Sequence, residues 1–385
     1  MAKEHGEINM KTTNICLDYS PVYGGVVQAI RDFQRALGGR ILSFDDGIEK
    51  RSDEAAVYYI DENSRFMGKR HQFLSRQSRR EAEQFICDQN PELLVTHSLF
   101  RGQCNWTRQQ AKREDIPYWA VPHGSLDPWV FSYGGKFKQL WMRLVGERYL
   151  RDARAVVFAT ERERTKAAHI YSGDNTQVVH WPVEMLDLSL RTEARLDFRK
   201  KWGISEDERI LMYLGRYDGM KRPLETIDAF ARAKVDGVRL VLVGGDSGLR
   251  KSDLEAYVAD RSLSDSVLLT GPIYGAARDS AFLAADGFIS LSHRENFGYT
   301  TAEALSASLP VILSQGNDLS FEIADQNCGW CLSSNDLEEA VDAIQRFSIT
   351  EPEALEAMGQ KGRLWCQSHL SMNQFVSNLN SLYVL

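Results

Sequence analysis

Short apolar runs and stretches of helical period take turns along this chain. Continuous apolar segments, the pattern of strands buried on both faces, occur at 13–18 (TNICLD), 40–44, 55–60, 93–96 (LLVT), 116–122 (IPYWAVP) and 155–159 (AVVFA). Helical spacing fills the gaps, as in VVQAIRDFQRAL after Gly25 and a helix closing over 83–89. A second series follows, with strands expected at 209–214 (RILMYL), 238–243, 267–269 and 287–292, each leading into a helical stretch. Pro223 suits the first turn of one such helix. Thr160 with Glu163 reads as a capping box opening another. Alternation of this kind predicts parallel sheets, and its restart predicts an α/β chain of two Rossmann-like parallel-sheet domains. Between the two series, 183–208 is looser and more polar, so the boundary is placed there. Ligands of such folds bind at strand C-termini, and the cleft between two such domains is the expected site.

Composition narrows the class. A length of 385 residues suits two or three domains. No apolar run reaches the roughly 18 residues of a membrane span. The opening MAKEHGEINMK is polar, unlike a secretory signal, and six scattered cysteines suggest a reducing, cytoplasmic setting. Net charge is −7, divided as +1 over residues 1–190 and −8 over 191–385. That balance speaks against bulk nucleic-acid binding, which needs a strongly basic face. Two stretches run against the acidic trend. Residues 65–80 hold six Lys/Arg and no acid, interleaved with Phe66, Met67, Phe73 and Leu74. Residues 136–154 mix Lys136, Lys138, Arg143, Arg148, Arg151 and Arg154 with large apolar side chains. Each reads as a solvated or core-packed amphipathic face, or as a contact for an anionic membrane surface.

The densest chemistry lies at 291–310 (LSHRENFGYTTAEALSASLP). An apolar strand leads through an Asn296-Phe297-Gly298 turn into a helix. Glu295 falls in the loop and Glu303 about one turn into the helix. Free N–H groups at a helix start attract anions, and carboxylates accept hydrogen bonds from sugar hydroxyls. Two further loops are expected at neighbouring strand ends: 215–221, with Arg216 and Lys221, and the glycine-rich 244–248. Cations with helix dipoles can hold a diphosphate and stabilise it as it leaves. No Asp-x-Asp occurs, the kind of carboxylate pair that holds a divalent metal against phosphates, so no metal or other cofactor is expected. In the first half, Gly24 and Gly25 sit in a strand-to-helix loop, and His123 follows a strand. Gly24-Gly25 reads either as a tight turn or as a close backbone approach to ligand. His123 reads either as a loop histidine satisfied by backbone or as a ligand contact.

Taken together, these segments resemble the family-4 glycosyltransferases, retaining enzymes of GT-B fold, across nearly the whole chain. Glu295 to Glu303 (ENFGYTTAE) resembles the family's Glu-x7-Glu motif, Gly215-Arg216 to Lys221 its diphosphate loop, and 21–25 its amino-terminal Gly-Gly loop. The run 123–129 (HGSLDPW) is similar to members that build exopolysaccharide or lipopolysaccharide. Arg222 departs from the family, many members having glycine there. The resemblance implies a GT-B fold with the two domains facing a central cleft. Residues 1–185 would bind acceptor, with a last helix, about 370–385, packing back on them, and 186–369 would bind a nucleotide-diphosphate sugar. Arg216 and Lys221 would bind diphosphate, Glu303 the ribose hydroxyls and Glu295 the transferred sugar. The backbone of Asn296, Phe297 and Gly298 would touch sugar and phosphate, and that of Ile273 the base. Gly24, Gly25 and His123 would complete the site from the first domain; Glu295, His123, Lys221 and Arg216 are the catalytic candidates. The implied reaction is metal-independent, retaining hexosyl transfer to a saccharide, expected to be lipid-linked, in the cytoplasm or at the inner face of a membrane. UDP-glucose is the first donor considered and GDP-mannose the second.

Other readings keep the fold. A nucleotide-sugar epimerase or hydrolase would consume donor without acceptor, and a non-catalytic partner would bind it without turnover. A nicotinamide dehydrogenase is disfavoured, since no Gly-x-Gly-x-x-Gly follows the first strand. Cys328-Gly-Trp-Cys331 has redox spacing but no second pair for a zinc site, so a structural role is expected.

Overall fold

A computed structural model describes residues 10–17, 19–20, 24–45, 54–61, 65–66, 69–70, 73–132 and 135–384. The chain divides into two compact units, 1–182 with 372–385, and 183–371.

In the first unit, β1 (Thr12–Leu17), α1 (Gly25–Leu37), β2 (Arg40–Asp45) and β3 (Val57–Asp61) lead to a short antiparallel ladder, β4 (Arg65–Phe66) with β5 (Lys69–Arg70). There follow α2 (Arg76–Gln89), β6 (Leu93–His97), α3 (Gly102–Glu114), β7 (Tyr118–Val121), α4 (Pro128–Ser132), α5 (Gly135–Trp141), a π turn over Met142–Gly146, α6 (Glu147–Asp152), β8 (Ala155–Phe158), α7 (Glu161–Ala167) and β9 (Thr176–Val178). Seven strands form one parallel sheet in the order β3-β2-β1-β6-β7-β8-β9. Its central strands are buried on both faces, which is why they read as unbroken apolar runs. Helix α1 buries Val27, Ile30, Phe33 and Leu37, one face at helical spacing.

The second unit runs α8 (Arg191–Trp202), β10 (Arg209–Leu214), α9 (Pro223–Ala233), β11 (Val238–Val243), α10 (Lys251–Asp260), β12 (Val267–Gly271), α11 (Ala276–Ala284), β13 (Gly287–Ser290), α12 (Tyr299–Ser306), β14 (Val311–Leu313), α13 (Leu319–Ile323), β15 (Gly329–Cys331), α14 (Leu337–Ile349) and α15 (Pro352–His369). Its six strands are parallel, in the order β12-β11-β10-β13-β14-β15. The chain then ends in α16 (Met372–Val384), which belongs to the first unit. There Phe33 of α1 meets Phe375 of α16, Trp181 and the His97 ring edge-on, with centroids 5.2, 5.2 and 5.4 Å away. Edge-to-face pairs of this kind add to the area they bury.

Two sequence expectations change in detail. The basic helix over 136–154 is not uniform: the π turn at 142–146 shifts its phase. Gly146 packs there so closely on Met142 and Trp141 that a Cβ would collide with both, and the bulge keeps Trp141 and Met142 buried. The Thr160/Glu163 capping box is half formed. Thr160 Oγ1 accepts from Glu163 N at 3.0 Å, but the Glu163 carboxylate turns to Ala159 N and Gly124 N, each 2.7 Å away. Of the basic run 65–80, residues 67–68 and 71–72 lie outside the described residues, as do 21–23 of the amino-terminal loop.

Candidate active site

In the second unit the sequence candidates gather on loops at the C-terminal ends of β10, β12 and β13. The β10 loop is shaped by Asp218, whose Oδ1 accepts from the backbone N–H of Met220 and of Lys221, both at 3.0 Å. This turn points the Lys221 side chain at Glu295, and Nζ meets the Glu295 carboxylate directly. Both side chains are largely buried. Burial pushes the Lys221 ammonium down to about 8, with the Arg216 guanidinium acting the same way and Asp218 opposing. The Glu295 contact also favours the charged form, so Lys221 is a cation at neutral pH. Arg216 is placed differently. Its side chain is 65% exposed and turns to Asp218, 3.4 Å away, an exposed cation at the rim of the loop. Arg222 has a structural task. It caps α9 at φ +54°, and its guanidinium reaches the carbonyls of Leu291 and Asn335 and the carboxylate of Glu225. The left-handed backbone accounts for glycine being suited to this position.

Backbone bonds hold Glu295. Its N–H donates to Gly316 O at 2.8 Å and its carbonyl accepts from Asp318 N at 2.9 Å. His293 N donates to Met220 O at 2.8 Å, tying this loop to that of Lys221. Asn296, Phe297 and Gly298 then lead into α12, with Phe297 buried edge-on against Tyr299. Gly298 is the N-cap at φ +76°, and a Cβ there would sit 3.1 Å from Asn317 Nδ2. Glycine therefore leaves the positive end of the α12 dipole without a capping side chain. Two more glycines close the neighbouring loops: a Cβ on Gly244 would lie 2.0 Å from Gly215 O.

Glu303 faces a residue the sequence reading passed over. Arg278, in the first turn of α11, forks onto both carboxylate oxygens, with Nη1 2.5 Å from Oε1. Burial raises the Glu303 carboxyl above the usual range, and the Arg278 guanidinium opposes that rise. A signal for Arg278 was present, since a cation in a helix's first turn opposes the dipole and needs another reason to be there. Ile273 lies half-buried on the β12–α11 loop, between Pro272 and the exposed Tyr274.

In the first unit, Gly24 (φ +55°) caps α1 and Gly25 opens it. His123 (φ +50°) and Gly124 (φ +73°) form the turn after β7, held by the Glu163 bond to Gly124 N. His123 Nε2 lies 2.9 Å from His97 Nδ1, and the two rings stack at 5.2 Å. Burial pushes the His123 imidazole down to about 3. This unit also holds a cavity of about 420 Å³, walled by Leu17, Val26, Ile30, Leu99, Phe100 and Phe137 and edged by Arg101 and Lys138. Cys328 is buried, Cys331 half-buried, and both are free thiols in and beside β15. Among the described residues no group of three or more His, Cys, Asp or Glu is placed to hold a metal. Nor is any described helix long and apolar enough to cross a membrane.

Two parallel-sheet units of seven and six strands are the architecture of the GT-B glycosyltransferases. The fold matches the crystal structure of Anabaena HepE in complex with UDP at a TM-score of 0.78, over 98% of this chain and 100% of that one, at 16% identity. It matches WaaG, a glycosyltransferase involved in lipopolysaccharide biosynthesis, at 0.65 over 97% and 99%, also at 16% identity. Residues 194–365 match the family described as glycosyl transferases group 1. That stretch lies within the second unit and carries the family's domain. A D-inositol 3-phosphate glycosyltransferase of Mycolicibacterium smegmatis is 30% identical over 271 residues, covering 69% of this chain and 61% of that protein. The Mycobacterium tuberculosis protein of the same name is 30% identical over 66% of this chain and 54% of its own length. The chain thus spans between half and two thirds of the curated relatives it matches.

Proposed function

We propose that this protein transfers a hexose, with retention, from a nucleotide-diphosphate sugar to a saccharide acceptor. The observation that carries the reading is the pairing at the strand ends of the second unit. Two carboxylates eight residues apart each meet a cation, Glu295 with Lys221 and Glu303 with Arg278. Lys221 and Arg216 hold the diphosphate together with the N-terminus of α12, and this charge matches the leaving group without a metal. Glu303 accepts hydrogen bonds from the ribose hydroxyls, and Glu295 orients the transferred sugar. The backbone of Asn296, Phe297 and Gly298 contacts sugar and phosphate, and Ile273 meets the base. UDP-glucose is the preferred donor, HepE having been crystallised with UDP and glucose, and GDP-mannose is the alternative.

Retention follows from substitution on the face the nucleotide leaves. The bond from the anomeric carbon to the phosphate oxygen breaks as the bond to the acceptor oxygen forms, and the departing phosphate oxygen takes the acceptor proton. Glu295 does not attack. A covalent glycosyl adduct trapped on any residue of a Glu295→Ala variant would refute this route.

The first unit presents the acceptor, with Gly24, Gly25 and His123 on its binding side. A lipid-linked acceptor suits the face of α5, the π turn and α6, where Leu140 and Leu144 are 53% and 60% exposed among exposed Lys136, Arg143, Arg148 and Arg151. Leucines flanked by cations fit an anionic membrane surface.

Thermal shift with UDP, GDP and ADP, each with and without EDTA, tests the donor site. A ligand at 100 times its Kd stabilises the native state by about 2.7 kcal/mol. One base should give an EDTA-independent shift that Lys221→Ala abolishes. A folded protein that shifts with none of the three refutes the transferase reading.

A further inference from the structure

The cavity of the first unit has a lining unlike that of a sugar site. Its volume, about 420 Å³, falls in the range of ligand pockets, about 300–1,000 Å³. Its apolar wall comes from Val26, Val27 and Ile30 of α1, Leu99 and Phe100 of the turn after β6, and Phe137 of α5. The charged groups on it are Arg101 and Lys138, and Ser98 and Ser125 add hydroxyls. Among the described residues, none that lines it carries a carboxylate or a side-chain amide. Sugar hydroxyls donate to groups of that kind. An apolar wall edged by two cations suits an apolar chain that ends in an anion, since the buried charge is then paired and hydrogen-bonded.

Both cations border Phe100. Ser98 (φ +66°) and Phe100 (φ +63°) hold left-handed backbone, which is uncommon for side chains of this kind and is found where a turn serves a ligand. Ser98 N donates to Val121 O at 2.8 Å, and Phe100 lies edge-on to Phe131 and Trp141, with centroids 5.6 and 5.1 Å away. Arg101 follows it as the N-cap of α3, exposed, with no capping bond from its side chain. Lys138 Nζ donates to Val130 O at 2.5 Å and lies 6.0 Å from the centre of the Phe100 ring. Helices α1 and α3, which begin beside the cavity, carry no acidic residue in the first turn, so their dipoles add to the same sign of charge. We propose that the cavity binds an alkyl phosphate. The chain packs among Val26, Ile30 and Phe137, and the phosphate accepts hydrogen bonds from Arg101 and Lys138. Helix α5 also carries exposed Lys136 and Leu140, so the cavity and the membrane face share one helix. In the transfer reading the ligand is the lipid-phosphate end of the acceptor. That assignment rests on the transfer reading; binding of an alkyl phosphate does not.

Isothermal titration of the full chain with geranyl phosphate, geraniol and inorganic phosphate, each below any micelle concentration, decides it. The wild type should bind geranyl phosphate at least about tenfold more tightly than either of the other two, because each lacks one half of the recognition. Arg101→Ala combined with Lys138→Ala should bring geranyl phosphate down to the affinity of geraniol. Val26→Phe fills the cavity and leaves its charge alone. It should weaken geranyl phosphate by about tenfold or more and leave inorganic phosphate unchanged. Thermal melts establish that each variant is folded. A folded wild type that does not bind geranyl phosphate overturns the proposal. So does geraniol or inorganic phosphate binding as tightly, which would leave a plain apolar pocket or a bare anion site. Unchanged binding in either folded variant overturns it as well, since the ligand would then sit elsewhere. The UDP thermal shift of the same samples reports the donor site separately. Its absence in protein that binds geranyl phosphate would sink the transfer reading while leaving this site standing.

Discussion

Replacing Arg278 with leucine removes the cation that faces Glu303 and leaves the carboxylate where it is. Breaking a fully buried ion pair from one side costs about 3–5 kcal/mol, because the remaining charge has lost its partner. Here the two side chains are 27% and 21% exposed, so water screens part of that loss. We expect about 1–3 kcal/mol. For a unit of this size each kcal/mol lowers Tm by about 2–4 °C, so the variant should melt about 2–12 °C lower at neutral pH. The pH dependence carries the sharper test. Burial raises the folded-state carboxyl of Glu303 above its ordinary value, and Arg278 restrains that rise. Between the ordinary and the raised value the folded state binds more protons than the unfolded one, so stability falls as pH rises through that window. Leucine lets the carboxyl rise further and widens the window. Asp279, the other charge bearing on Glu303, acts in the same direction as burial. The deficit of Arg278→Leu should therefore be largest at neutral pH and shrink as pH falls and the lone carboxyl takes up its proton. Melts of wild type and variant across that range, with and without UDP, measure both effects. A deficit of equal size at both ends, or none at all, would refute the ion-pair account. A normal UDP shift at a pH where Glu303 is protonated would remove Glu303 from the ribose site.

Four further outcomes follow from the same geometry. UDP affinity in the wild type should weaken as pH rises past about 8, where Lys221 loses its proton, and Lys221→Arg should flatten that profile; isothermal titration across the range measures it. Glu163→Gln should destabilise the chain by about 1–3 kcal/mol in urea, because the amide sets an N–H₂ against one of the two backbone N–H groups the carboxylate accepts. Phe375→Ala should cost about 3–5 kcal/mol, the side chain being 1% exposed, and amide exchange should show α16 and α1 losing protection together. Leu140→Glu with Leu144→Glu should abolish sedimentation with vesicles containing anionic lipid and leave Tm unchanged, since both side chains are exposed; retained sedimentation would refute the membrane face.

Much of the fold was legible because its signals are local. The apolar runs at 93–96 and 209–214 are strands within a residue of their expected ends, and Pro223 opens α9 as its fixed φ requires. The loop-to-helix passage from Glu295 to Glu303 could be read for the same reason: glycine at 298, good helix formers after it and proline at 310 are all near neighbours. Thr160 and Glu163 mark the limit. Their spacing announced a cap, and the hydroxyl does cap, but the carboxylate was drawn to Gly124 N, on a turn nearly forty residues earlier. The π turn at 142–146 also escaped, because the packing of Gly146 on Trp141 and Met142 interrupts the period that the basic and apolar residues suggested.

By itself, then, the sequence determined the alternation of strand and helix, the two parallel sheets, and which loops carry cations, carboxylates and glycines. Periodicity, caps and turns depend on residues a few positions apart, and their preferences act wherever the chain goes. The tertiary structure alone decided which of those groups meet: Arg278 with Glu303, Lys221 with Glu295, and Asn14 with His97 and His123. Those partners lie between 25 and 83 residues apart. They come together through the register of parallel strands and the loops at their ends. In such a sheet every neighbouring strand is reached through a crossover, so sequence spacing carries no record of which side chains will share a proton or a charge.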